Sequence, residues 1–209
     1  MESTNEATST EQTPVGHWHP LAYANLHDFE TAKRIAEGCT NDVQALGSII
    51  KQFSLSDILC VSLLHKHFNL YADERLIRTT RNNEQIVAPS STDSADLKPA
   101  VWAFRKDSAF TPYKLCPIEF LCPDSSRLFN VEYARLDGAH EFRKEYLNLL
   151  TCRGLENLFG LSLNIRRLFV IAPDETLVEN DTPHRRRLTL TVAKEKDVPH
   201  GATRTNWSF

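Results

Sequence analysis

Apolar positions first fall into a helical rhythm. Phe29, Ala32 and Ala36 share one face behind Asp28, a residue suited to an N-cap, while Glu30 stands four residues before Arg34 and Gly38 supplies a stop. A second helix is expected from near Asn41, where Gln44 is placed to complete a capping box. Its Val43, Leu46, Ile50 and Phe53 keep the 3.6-residue period across Gly47. Together the two predict a helical hairpin with one apolar face, and that face needs a sheet.

The rhythm then changes. Residues 58–68, I-L-C-V-S-L-L-H-K-H-F, form the longest largely apolar run. Being apolar on both sides, the run predicts a central strand buried on two faces, although periodicity alone does not separate this from a helix. Residues 71–74 read as a turn and 76–80 as the strand's hairpin partner. Residues 82–99 are polar, with Pro89 and Pro99, and predict a long exposed loop. Short strands are expected at 101–105, 113–121 and 128–134, with Pro112, Pro117 and Pro123 pushing the second toward a sheet edge. A third helix is expected from Asp137 to Gly154, carrying Phe142, Tyr146, Leu149 and Leu150 on one side, with one more turn over 155–159. Three strands follow, at 165–172, 187–193 and 203–209; Leu188, Leu190 and Val192 alternate with Thr189, Thr191 and Ala193. The expected architecture is α+β: a mainly antiparallel sheet covered by the N-terminal helical hairpin and one further helix. No β-α-β alternation, Gly-rich dinucleotide fingerprint, phosphate loop or internal repeat is visible.

Composition narrows the function classes. A chain of 209 residues with 41% hydrophobic and 24% charged residues is an ordinary globular sequence, expected to form a single domain over 15–209. The net charge of -3 resides in the first fourteen residues, where Glu2, Glu6 and Glu11 meet no Lys or Arg; this stretch predicts a disordered tail. Order is expected from about Val15, with Trp18 docking on the body. The remainder is formally neutral, so no global field draws it to nucleic acid or an anionic membrane, and neither partner is expected. No apolar run approaches the roughly 18 residues of a membrane span. The start has no basic-then-apolar signal, which makes the cytoplasm, or alternatively the nucleus, the expected address. Five widely spaced cysteines (Cys39, Cys60, Cys116, Cys122, Cys152) then read as reduced thiols, and the sequon at Asn206 as chance.

The chemical signal that exceeds chance is His65-Lys66-His67. On a strand, residues two apart point the same way, so both imidazoles can reach one cation such as Zn²⁺ or Fe²⁺. A chain with eight histidines is expected to hold about 0.3 such pairs at random, and this one holds two, the other being His17/His19. A third ligand is required. Glu74, Glu119, His140 and the His17/His19 pair are the candidates, and Glu119 is preferred. The plain alternative has both histidines hydrogen-bonded where a strand leaves the core. Cys116-Pro117 and Cys122-Pro123 are spaced too widely for an ordinary zinc site and read as small buried residues beside turns. Arg166-Arg167 and His184 to Arg187 could hold an anion, but Asp174, Glu175, Glu179 and Asp181 lie between them and offset their charge. No nucleophile elbow is present, and Cys60 sits in an apolar run that blunts a thiol.

Leu63 to Phe68 (L-L-H-K-H-F), the helices before it and Thr205-Asn206-Trp207-Ser208-Phe209 resemble a loose group of fungal hypothetical proteins. The resemblance covers about a third of the chain and carries no catalytic residue across. It implies a fungal intracellular protein, an accessory factor in specialised metabolism. Sequence therefore points first to a non-catalytic binding protein for a small molecule or a protein partner, and second to a metal-dependent enzyme using the His-x-His pair.

Overall fold

The computed structural model describes residues 18, 20–81, 83–92, 96–106 and 112–209; the acidic tail, His17 and His19 lie outside them. A short helix α1 (Pro20–Ala24) precedes α2 (Phe29–Ala36), which starts as the sequence implies. Thr31 donates its backbone N–H and its hydroxyl to the Asp28 carboxylate, each at 2.9 Å. The next helix, α3 (Thr40–Gln52), begins behind Cys39 with no side-chain cap, so the expected capping box does not form. Its Val43, Leu46 and Ile50 are buried as their spacing requires.

Among the described residues nine strands make one curled, mostly antiparallel sheet: β1 (Leu59–Leu63), β2 (Arg75–Arg81), β3 (Glu84–Ser90), β4 (Lys98–Arg105), β5 (Lys114–Leu121), β6 (Phe159–Leu163), β7 (Glu175–Thr182), β8 (Arg187–Lys194) and β9 (Asn206–Trp207). Their order is β7-β8-β3-β2-β5-β4-β6-β1-β9, and the β2–β5 pairing is parallel. This corrects several expectations. The apolar run is a strand only to Leu63, and it lies one place from the sheet's end, not at its centre. It pairs with β6 and β9, whereas β2, its expected partner, pairs with β3 and β5. Much of the stretch expected as a loop, 82–99, is strand β3, with Gln85 and Val87 fully buried. Strand β5 lies inside the sheet, and its proline is accommodated locally: at Pro117 it pairs with β4, and its pairing with β2 begins only at Glu119. The missing N–H therefore falls where one side of the strand has no ladder.

Residues 127–138, expected to include a strand, are helical: a 3₁₀ turn (Arg127–Phe129) continues into α5 (Asn130–Gly138), after the four-residue α4 (Pro123–Ser126). Phe129, Glu132 and Leu136 are the buried positions, at helical and not strand spacing. The long helix α6 (His140–Arg153) ends at Gly154 in the left-handed region (φ 67°), as its sequence predicts. Residues 155–159 make the one further turn expected of them, with the Leu158 and Phe159 N–H groups donating to the Leu155 carbonyl at 2.9 Å each, while 165–172 hold a 3₁₀ turn (Ile165–Leu168) where a strand was expected. In the last segment only Asn206–Trp207 is strand.

Alternation along the strands divides the core in two. Leu59, Val61, Leu63, Trp102, Phe104, Phe159 and Leu161 pack with α3 and α6 on one face. Leu64, Leu76, Val87, Ala103, Ile118 and Leu188 fill the other, together with Ala22 and Tyr23 of α1. Close approach of β6 to β4 depends on Gly160, where an added Cβ would lie 2.1 Å from the Trp102 carbonyl oxygen. Among the described residues no helix is long and apolar enough to cross a membrane.

Candidate metal centre

Curling brings the sheet's two ends together, and the histidines sit at that seam. Beyond Leu63 the chain leaves the ladder, and Lys66 forms an isolated parallel bridge with Asp28 at the start of α2. His65 and His67 flank this bridge. Opposite them lies β7, the strand at the far end of the sheet order, whose Glu179 and Asp181 are two residues apart and so share a face.

Both imidazoles are oriented through Nδ1. His65 Nδ1 lies 2.9 Å from the carbonyl oxygen of Leu63, and His67 Nδ1 lies 2.8 Å from the Asp181 carboxylate. A carbonyl and an ionised carboxylate only accept, so each Nδ1 carries the proton and each Nε2 of a neutral ring presents a lone pair. The two Nε2 atoms stand 2.8 Å apart, and Glu179 Oε1 lies 3.2 Å from that of His67 and 3.8 Å from that of His65. Three lone-pair donors thus converge, and only a cation between them, a metal ion or shared protons, makes that arrangement favourable. The charges respond accordingly. Burial would push the Glu179 carboxyl up, but hydrogen bonds and charge from His65 and His67 outweigh it and hold the group far below the usual carboxylate range. Burial likewise opposes charging His67, yet Glu179 and Asp181 together raise its pKa. Phe29 covers the rings, its centroid 5.1 Å from that of His65 and 6.0 Å from that of His67.

The cluster faces a small cavity of about 60 Å³, room for a few water-sized molecules. Tyr23, Ser62, Arg78, Glu119 and Asn206 supply its polar wall. The Tyr23 hydroxyl accepts from the His67 backbone N–H at 3.2 Å, and burial pushes its pKa up to about 12, so it keeps its proton at neutral pH.

Among the described residues, His65, His67 and Glu179 are the one group of three His, Cys, Asp or Glu whose ligand atoms converge within 4.8 Å. Glu119, the preferred third ligand from sequence, lines the same cavity but is engaged elsewhere. Its Oε1 takes Arg78 Nε at 2.6 Å and a second guanidinium nitrogen at 2.5 Å. Burial still leaves its carboxyl raised despite Arg78. Of the other candidates, Glu74 pairs with Arg186, which also bonds the Asn69 carbonyl, and His140 contacts Arg143. Cys116 is buried, Cys122 half-buried and Cys152 exposed, and none joins the cluster. The basic residues are largely offset, Arg167 by Glu132, Arg186 by Glu74 and Arg187 by Glu84.

The carboxylates missed from sequence had one available signal. Glu179 and Asp181 repeat the two-residue spacing of His65 and His67, and the segment before Leu188–Val192 offers the antiparallel partner that alternating strand needs. Comparison with family models, with curated proteins and with solved structures returns no match.

Proposed function

We propose that the protein is a metal-dependent enzyme, with a divalent transition ion held by His65 Nε2, His67 Nε2 and a Glu179 oxygen. One observation carries the reading: three lone-pair donors converge, with each histidine's tautomer set from behind by an acceptor. Backing of this kind, carbonyl on one ring and carboxylate on the other, is what orients metal-ligating histidines and raises their basicity. Two imidazoles and one carboxylate suit Zn²⁺ or Fe²⁺. Three protein ligands are one fewer than a closed structural zinc site, and all three side chains line the cavity, so an ion they held would be open to it. That openness favours an enzyme over a purely non-catalytic binding role. In it the metal would activate a bound water or polarise a substrate oxygen, and the cavity's size admits only the reacting end of a substrate.

The test is equilibrium dialysis of tag-free protein against buffered Zn²⁺. About one equivalent retained by the unaltered protein and none by the H65A/H67A double variant is the expected result. Equal, negligible retention by both removes the proposal.

A further inference from the structure

The cavity wall is uneven in strength. Of the strands that line it, β1 pairs with β6 over five residues, β2 with β3 over seven and β7 with β8 over eight. Segment 199–209 contributes Thr205 and Asn206 to the same wall and is held by a two-residue ladder, Asn206 and Trp207 against Ser62 and Val61. Beyond that ladder it has the Leu63 N–H to Thr205 carbonyl bond at 2.8 Å and the Ser162 hydroxyl to Asn206 Oδ1 bond at 2.7 Å. A long Lys33 Nζ to Gly201 carbonyl bond (3.5 Å) and two aromatic rings add to its hold. Trp207 meets Phe159 edge-on with centroids 5.8 Å apart. Phe209 lies on α3 over Gly47, with Lys51 Nζ 5.9 Å from its ring centre. Gly47 is the seat itself: a Cβ there would come within 2.2 Å of the Phe209 ring. At the other end, exposed Gly201 turns with φ +88°, a conformation that favours glycine.

We propose that segment 199–209 is a strap that gates the metal cavity, with Gly201 as hinge, Thr205 and Asn206 as the removable wall, and Phe209 on Gly47 as the latch. This rests on the metal reading above and adds its means of access. A short edge element with few ladder bonds opens locally far more often than the strands beside it. Opening this one detaches only the terminal strand β9 and uncovers the cavity beside Ser62, while the pairing of the other strands and the acceptors behind the two histidines, the Leu63 carbonyl and Asp181, lie outside the strap. The latch explains a glycine in the middle of a well-formed helix, where it is otherwise unfavourable.

The experiment measures zinc exchange kinetics. Zinc-loaded protein is challenged with EDTA at concentrations where release no longer depends on the chelator, and zinc association is followed separately with a fluorescent zinc indicator. G47A is the informative variant: its methyl displaces Phe209 while improving helix propensity, so misfolding is not the expected outcome. F209A removes the latch from the other side. Neither residue touches a ligand, so a gate predicts association and release both faster, by about tenfold, with the dissociation constant unchanged within about twofold. The G47A/F209A double variant should match F209A alone, because the added methyl then has no ring to displace. Unchanged rates in both single variants overturn the strap, as does faster release alone with weakened affinity, which marks a merely structural contact. Zinc bound with unchanged rates defeats only the strap; no zinc bound by the unaltered protein defeats the metal reading and the strap with it.

Discussion

Replacing Asp181 separates an orienting role from a ligating one. Its carboxylate accepts the His67 Nδ1 proton at 2.8 Å, on the ring nitrogen opposite the one that faces Glu179. Loss of such a backing carboxylate typically lowers metal affinity 10- to 100-fold. Here the side chain is 30% exposed, so in Asp181→Ala water can take over the Nδ1 proton, and the loss should sit at the lower end. About tenfold, or ~1.4 kcal/mol, is the expected weakening. Asp181→Asn keeps an acceptor oxygen for the proton and loses only the charge, so it should fall between Ala and the unaltered protein. Competition against a chromophoric zinc chelator reads all three affinities, with His67→Ala as the limit in which a ligand is gone. Stoichiometry should stay at one equivalent in both Asp181 variants. An Asp181→Ala protein with unaltered affinity, or one as impaired as His67→Ala, refutes the assignment of Asp181 as the group behind His67.

Two further predictions concern the frame that holds the site. In Gly160→Ala the new Cβ would meet the Trp102 carbonyl at 2.1 Å and a Leu64 methyl at 2.7 Å; the first is backbone and cannot step aside, so a loss of at least about 1–3 kcal/mol is expected, read as a lower denaturant midpoint at unchanged slope. The Glu74–Arg186 pair pins the chain after the histidines to the turn just before β8, and the Arg186 hydrogen bond holds the Glu74 carboxyl below its ordinary value despite some opposing burial. Its stabilisation is complete above the unfolded carboxylate pKa of about 4.3 and is lost as pH falls through the lower folded value. Denaturation from neutral to strongly acid pH should therefore show unaltered protein and Glu74→Gln converging in acid, and a constant gap would contradict the pairing.

What sequence disclosed follows from which side chains bury apolar surface. The helices carrying Leu46 and Phe142 were legible because most of their buried positions are hydrophobic at 3.6-residue spacing, and the one buried charge, Arg143, does not break that rhythm. Strand β3 was not, since one of its inward positions is Gln85, satisfied by Arg78 at 2.9 Å and Thr80 at 3.3 Å. Helix α5 was hidden in the same way: buried Glu132, paired with Arg167, interrupts the apolar face between Phe129 and Leu136. A polar residue inside a core reads as a surface residue until its partner is known, and the partner is distant in sequence. The site repeats that lesson. His65 and His67 stand out as a close pair, while Glu179 lies more than a hundred residues later among acids that look like a counterweight to nearby arginines. Only the curl of the sheet, which joins the first strand in its order to the turn after the last but one, makes them neighbours.

The proposed metal site is completed by Glu179, not Glu119, beside the two histidines. Both carboxylates line the cavity, so the conservative variants Glu179→Gln and Glu119→Gln can be compared directly by zinc retention after exhaustive dialysis. Glu119→Gln is expected to keep about one equivalent and Glu179→Gln to lose most of it, a tenfold or greater fall in affinity. Loss in Glu119→Gln with retention in Glu179→Gln would contradict that assignment.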